Sequence, residues 1–184
     1  MIIEPLALHG AALIRPERRA DARGWFARSF CEAEFAAAGL HARYPQHNIS
    51  FNARAGTLRG LHFQHPPHEE VKVISCTRGA ILDVIVDLRP GSPTHGRWHA
   101  QELSAENGLA LYAPAGFAHG FQTLSDGAEV RYLMGAPYVA GADGGIRHDD
   151  PRLAIPWPLP VSVISERDLA LPFLDAAAEG PPAA

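Results

Sequence analysis

The chain has 184 residues, 47% of them apolar and 20% charged, and a formal charge of −4 at neutral pH, which fits one globular domain large enough to bury a core. That charge leaves no basic footprint for nucleic acid, and no cluster of Lys and Arg addresses an anionic membrane surface. No apolar run is long enough to span a bilayer, and "MIIEPLALHGAALIRPERR" lacks the basic start of a secretory signal, with Glu4 interrupting its apolar stretch. Cys31 and Cys76 are the only cysteines, so no disulfide framework is expected and the cytoplasm is the expected compartment.

Along the chain, the first thirty residues mix short apolar pieces with turn formers and read as short strands of an N-terminal arm. "CEAEFAAAGL" (31–40) is Ala-rich with Gly39 as its stop, and predicts the one short helix. From residue 44 on, β-rich runs follow one another: "TLRGLHFQ", "VKVISC", "ILDVIVDLR", "RWHAQELS", "LALYAPAGFAHGFQTL" and "EVRYLMGAPYV". Turns such as "TRG", "RPGSPTHG", "AENG" and "SDG" separate them, which predicts an all-β sandwich or barrel. Past Tyr138 the chain reads as loop ("AGADGG"), then as an extended wrapping segment whose prolines around Trp157 confine any strand to an edge. Residues 1–174 are expected to form the single domain, and the small, Pro-rich stretch 175–184 a disordered tail.

Two compositional features single out "RGLHFQHPPHEEVK" (59–72). It holds His62, His65 and His68, and it carries Lys72, the one lysine among sixteen basic residues. An ammonium is a compact point donor that a planar guanidinium does not replace, so a lone lysine in an arginine-using chain points to a chemical task. A metal site on a strand would place ligands two residues apart, yet Gln64, not histidine, follows His62 at that spacing. No metal is therefore expected. The metal-free reading places His62 and Lys72 on one wall of the barrel, with His119 and Tyr132 on later strands. A neutral imidazole is a base near neutrality, a lysine holds a developing oxyanion, and a tyrosine donates a proton from the far side. The bland alternatives are a core His62, a core Tyr132 and a loop-bonding His119. His9, His41, His65, His68, His95, His99 and His148 are expected to be exposed, and Cys76 to be a small core residue. Strict alternation puts Arg59 and His62 on opposite strand faces, so both reach one pocket only if Gly60 marks a bulge.

The strings "GTLRGLHFQ", "GAILDVIVDLRPGSPTHGRW", "LSAENG", "APAGFAHGFQTLSD", "AEVRYL", "GIRHDDP" and "AIPWP" closely resemble the nucleotide-sugar epimerases typified by dTDP-4-dehydrorhamnose 3,5-epimerase, from about Arg23 to Asp168. The resemblance implies a cupin-type β-barrel or jelly roll, a homodimer with exchanged N-terminal strands, and no cofactor. It makes His62 the base, oriented by Asp168, with Lys72 stabilising the enolate and Tyr132 as the acid. It places Arg59, His119 and Arg167 on the pyrophosphate and sugar, and Arg23, Gln46, Asn48 and Tyr138 around the nucleobase or dimer mate. Arg28 stands where rhamnose-pathway members carry glutamate, Asp143 where Glu is usual, and Arg167 where Lys is seen. The implied substrate is a nucleoside-diphosphate 4-keto-6-deoxyhexose, inverted at C3, C5 or both. The competing readings are a metal-dependent cupin enzyme and a non-catalytic sugar-nucleotide binding module.

Overall fold

The computed structural model describes residues 1–174; the tail expected at 175–184 lies outside them. Thirteen strands and two short helices follow in the order β1 (Ile2–Pro5), β2 (Ala12–Arg15), β3 (Arg19–Asp21), β4 (Gly24–Phe26), α1 (Glu32–Ala37), β5 (Gln46–Asn52), β6 (Leu58–Gln64), β7 (Lys72–Arg78), β8 (Ala80–Asp87), β9 (Trp98–Ser104), β10 (Ala110–Ala113), β11 (Phe117–Thr123), β12 (Ala128–Met134), β13 (Asp143–Gly145) and α2 (Glu166–Leu169). One sheet has the order β1-β2-β10-β7-β12-β5, the other β13-β6-β11-β8-β9, and β3-β4 forms a separate hairpin. Every pairing between these strands is antiparallel. This is the expected all-β, cupin-type jelly roll.

The core lies between the sheets. Ile74 and Cys76 of β7, Leu111 of β10 and Val130 of β12 meet Ile81 and Ile85 of β8, Leu103 of β9, and Phe117 and Phe121 of β11. The outer faces are covered as well. Helix α1 lays Phe35 on Ile14, Val73, Ala110 and Leu133, and the C-terminal segment lays Ile146, Leu153, Ile155 and Leu174 on Leu61, Val84, Val86 and Ala118. Strand β8 is therefore buried on both sides, which is why "ILDVIVD" is nearly continuous in apolar residues instead of alternating.

Helix α1 ends as its sequence predicts. Gly39 takes φ +72°, its N–H bonds Ala36 O, and the Leu40 N–H bonds Phe35 O, a glycine-closed Schellman turn. The expectation of a single helix fails at α2, four residues capped by the Ser165 side chain, which accepts from Asp168 N. Two stretches not read as strands are strands. In β5 the outward residues are apolar (Ile49, Phe51) and the inward ones polar (Asn48, Ser50, Asn52), an inversion that hides the strand from a search for a buried apolar stripe. The glycine-rich β13 is held wholly by its pairing with β6. The run 109–124 is two strands broken at Pro114–Gly116. No helix among the described residues is long and apolar enough to cross a membrane.

The loop after β8 is organised by Asp87, which is 0% exposed. Its carboxylate accepts from Arg89 N and Nε, from Arg89 Nη2, and from the hydroxyls of Ser92 and Thr94. Burial pushes this carboxyl up, but the Arg89, Ser92 and Thr94 donors outweigh it and hold it well below the usual range. Asp87→Ala leaves those donors unmet and is expected to destabilise the fold by about 3–5 kcal/mol, read as a fall in thermal midpoint on the order of 10 °C. A depressed carboxyl contributes stability that is complete above its ordinary value of 3.8 and is lost as pH falls through the folded value. The gap between the variant and the unsubstituted protein should therefore narrow on strong acidification.

Candidate active site

Inward-facing residues of β5, β6, β7, β8, β11 and β12, together with α2, build one polar cluster at a mouth of the barrel. On β6, Arg59 pairs with Phe121 and His62 with His119 of β11, so two residues of β6 (Gly60 and Leu61) oppose Gly120 alone. That is the bulge the alternation argument requires, and it turns Arg59 and His62 to the same face. Gly60 has φ +115°, and a Cβ there would meet Gly120 Cα at 2.5 Å and His119 O at 2.8 Å. Gly60→Ala is expected to displace β6 from β11, destabilise the protein by more than the ~1 kcal/mol of an ordinary glycine replacement, and abolish activity along with the bulge. Thermal unfolding and the turnover assay described below check this.

His62 Nε2 lies 2.8 Å from Asp168 Oδ1, and Asp168 Oδ2 accepts the Gly60 N–H at 3.1 Å. The His62 side chain is 40% exposed and that of Asp168 only 5%. Burial raises the Asp168 carboxyl, but the bonds from His62, Gly60 and Ser165 outweigh that and hold it below the ordinary range. An ionised Asp168 accepts only, so Nε2 carries a proton, and in the neutral imidazole Nδ1 is the nitrogen left to accept one. The dyad spans 106 residues of chain, bridged by the wrapping segment. Gln122 clamps that segment through Leu159 O and N, and Thr57 bridges to Val163.

Lys72 faces this dyad from the other sheet. Here the expectation is corrected: β6 and β7 belong to opposite sheets, so His62 and Lys72 stand on two walls of the barrel and not on one. The "HPPHEE" connection crosses between the sheets, with both prolines exposed. Lys72 Nζ donates to His62 O at 2.9 Å and pairs with Glu70 Oε1 at 2.7 Å, both side chains buried. Two of three ammonium protons are thus committed and one remains for a ligand oxygen. Glu70 was not anticipated, although its two-residue spacing from Lys72 was a readable signal.

Tyr132 sits inward on β12, its hydroxyl 3.4 Å from Ser50 Oγ, with Asn48 directly opposite on β5. Burial raises its phenol far above the ordinary value, which keeps the proton available for donation. His119 is buried with Nε2 2.7 Å from Asp83 Oδ1, and its ring meets that of Tyr132 edge-on, centroids 5.9 Å apart. Arg59 donates from Nε to Asn52 Oδ1 at 2.7 Å. A rim network completes the mouth: Tyr138 N bonds Gln46 Oε1, Tyr138 OH donates to Asp143 Oδ1 at 3.0 Å, and Arg167 pairs with the other Asp143 oxygen.

Arg23 and Arg28 stay outside this cluster within their own chain. Arg23 pairs with Asp21 at the tip of the exposed β3-β4 hairpin. Arg28 pairs with Glu34 and lines a groove of about 330 Å³ with Trp25, Thr77, Arg131 and Leu133; Arg131 and Leu133 alternate with Tyr132, so this is the outer face of the six-stranded sheet. Among the histidines expected to be exposed, His99 is half-buried and points inward, with Nε2 fully buried. His65 and His148 are half-buried. Cys76 is a core residue as expected. Asp83 was also missed, although a carboxylate inside the apolar run of β8 was a visible anomaly. Among the described residues, no three His, Cys, Asp or Glu side chains gather to hold a metal ion.

A jelly roll whose mouth combines a His–Asp dyad, a buried lysine and a buried tyrosine has the parts for moving protons at carbon. The profile of the dTDP-4-dehydrorhamnose 3,5-epimerase family matches residues 5–176. The chain is 45% identical to a dTDP-4-dehydrorhamnose 3,5-epimerase of Sinorhizobium fredii, over 95% of this chain and 90% of that one. It is 41% identical to a dTDP-4-dehydrorhamnose 3-epimerase of Streptomyces niveus, over 91% and 81%. The crystal structure of the 3,5-epimerase from Bacillus anthracis, with TDP and pyrophosphate bound, superposes with a TM-score of 0.90 at 41% identity, covering 94% of this chain and 98% of that one. The chain belongs to the dTDP-4-dehydrorhamnose 3,5-epimerase family and is an isomerase of the epimerase class.

Proposed function

We propose that this enzyme epimerises a dTDP-4-keto-6-deoxyhexose at C3 and C5 through an enolate, in deoxysugar biosynthesis and without a cofactor. The observation that carries the reading is the His62–Asp168 dyad facing Lys72 and Tyr132 across the barrel mouth. The C4 ketone acidifies the adjacent C–H bonds. His62 removes a proton, the free N–H of Lys72 holds the enolate oxygen, and Tyr132 returns a proton to the opposite face. Arg59 and His119 grip pyrophosphate and sugar, Arg167 adds a bidentate donor at the rim, and Tyr138, Gln46 and Asn48 meet the nucleobase.

Proton NMR of dTDP-4-keto-6-deoxyglucose with enzyme in deuterated water tests it, following C3 and C5 separately. Loss of both signals with formation of the inverted sugar is the expected result. No exchange at either carbon overturns the reading in favour of a binding module, and activity that tracks added divalent metal in chelated protein overturns its metal-free part. Loss at one carbon only makes this a single-site enzyme, a reading the 41% identity to a 3-epimerase supports.

The working unit is a homodimer with exchanged N-terminal strands in which the β3-β4 arm carries Arg23 and Arg28 to the mate's site. This is supported by the placement of both arginines outside their own pocket and by exposed apolar side chains on the arm and on β5: Trp25, Phe26, Ile49 and Phe51. Mixing an Arg23→Ala chain with a His62→Ala chain is expected to recover activity that neither has alone, because one site of each hybrid pairs an intact arm with an intact base. No recovery after subunit exchange would place the arm elsewhere.

A further inference from the structure

Below the mouth, the barrel interior carries a second histidine–carboxylate group that reaches further than the pair already described. Ile85 of β8 lies opposite His119 of β11 on one side and opposite His99 of β9 on the other. Asp83 is two residues back on the same strand, so both histidines are its diagonal neighbours on the inward face, within reach of long side chains. His119 takes Asp83 Oδ1. The other oxygen, Oδ2, is fully buried without a partner, and so is His99 Nε2. Two buried polar atoms left unpaired on adjacent strands, one an acceptor and the other able to donate, are each costly alone, and one water between them would satisfy both. Gln101, which is directly opposite Asp83, does not fill this role: its side-chain amide is turned to Glu102 O and Asp83 Oδ2 stays unpaired.

We propose that His99 is a positioning residue: its Nε2–H donates across one bridging water to Asp83 Oδ2, and so keeps Asp83 a carboxylate whose other oxygen fixes His119 with its proton on Nε2. His119 then presents an unprotonated Nδ1 to the substrate pocket beside Tyr132, a role that rests on the epimerase reading above. Burial opposes this state, pushing the Asp83 carboxyl up against the pull of His119, Lys72 and His99, and burial also pushes His99 towards its neutral form. A neutral imidazole still donates one N–H, so the bond does not require a charged His99. Without that donor, Asp83 takes up a proton and gives it in a hydrogen bond to His119 Nε2. The imidazole proton then moves to Nδ1, and the nitrogen facing the substrate changes from acceptor to donor.

The test is nitrogen NMR of imidazole-labelled protein in the unsubstituted form, in His99→Leu and in His99→Gln, whose amide nitrogen replaces Nε2–H. The expected result is His119 protonated on Nε2 in the unsubstituted and glutamine forms and on Nδ1 in the leucine form. In parallel, kcat for solvent-deuterium incorporation should fall about tenfold or more with leucine at nearly constant KM, and be restored by glutamine. The same His119 tautomer in the leucine and unsubstituted forms overturns the proposal. Should the leucine form not fold, the Asp83 carboxyl carbon in the unsubstituted protein decides: a carboxylate shift at neutral pH supports the bond, and a protonated-acid shift overturns it. Absence of deuterium incorporation by the unsubstituted protein would sink the epimerase reading instead, leaving the tautomer result to stand on its own.

Discussion

Alanine at position 62 is expected to lower turnover of the keto-sugar by about 10²–10⁴-fold, with loss of deuterium incorporation at whichever carbons exchange in the unsubstituted enzyme. The fold should survive. The His62 side chain is 40% exposed, and its backbone carbonyl, which accepts from Lys72, is untouched by the substitution. Asp168 loses one donor but keeps the Gly60 N–H, so the stability loss should stay within about 1–3 kcal/mol. Thermal unfolding beside the NMR assay separates the two effects. Turnover close to that of the unsubstituted enzyme would remove His62 from the base role, whatever the change in stability.

Lys72 carries the second large effect, and it needs a paired design. Lys72→Met removes the oxyanion donor, worth roughly 10²–10³ in kcat by analogy with other preorganised donors. It also strands Glu70, whose side chain is 4% exposed and whose Oε1 lies on the ammonium. An uncompensated buried charge costs about 3–5 kcal/mol, so the single variant is expected to be both inactive and unstable. Lys72→Met with Glu70→Gln relieves the charge. Its thermal midpoint should recover most of the loss while kcat stays low, a split that a purely structural lysine would not produce. Lys72→Arg should not rescue, because a planar fork does not fit the place of a compact ammonium between Glu70 and the His62 carbonyl. Recovery of kcat in the double variant would reassign Lys72 to folding.

The strands with apolar inward faces were legible because burial on one or both sides writes itself into the residue pattern. The elements that were not legible have their reasons in the same physics. β5 turns polar residues to the cavity, and β13 is three residues held by a neighbour. α2 is one turn, too short for any periodicity, yet it delivers Asp168. The parity conflict at Arg59 and His62 was a true signal: two glycines packed against each other, Gly60 and Gly120, let β6 gain a residue on β11. What spacing could not supply was the third dimension. That β6 and β7 fall in opposite sheets, that His99 turns inward to flank Asp83, and that Arg28 lies outside its own pocket all depend on strand order, which alternation does not encode. The charge inversion at Arg28 has a local account in its pairing with Glu34.

The isolation of Lys72 among fifteen arginines gives the protein an unusual reactivity profile. Reagents that acylate or reductively alkylate primary amines find a single side-chain target in the sequence, the lysine inside the barrel. Guanidinium groups, protonated at all working pH values, do not compete. The mass increment left on Lys72 after a timed pulse would count open cavities, and a ligand seated in the mouth would register as protection of a single, unambiguous peptide.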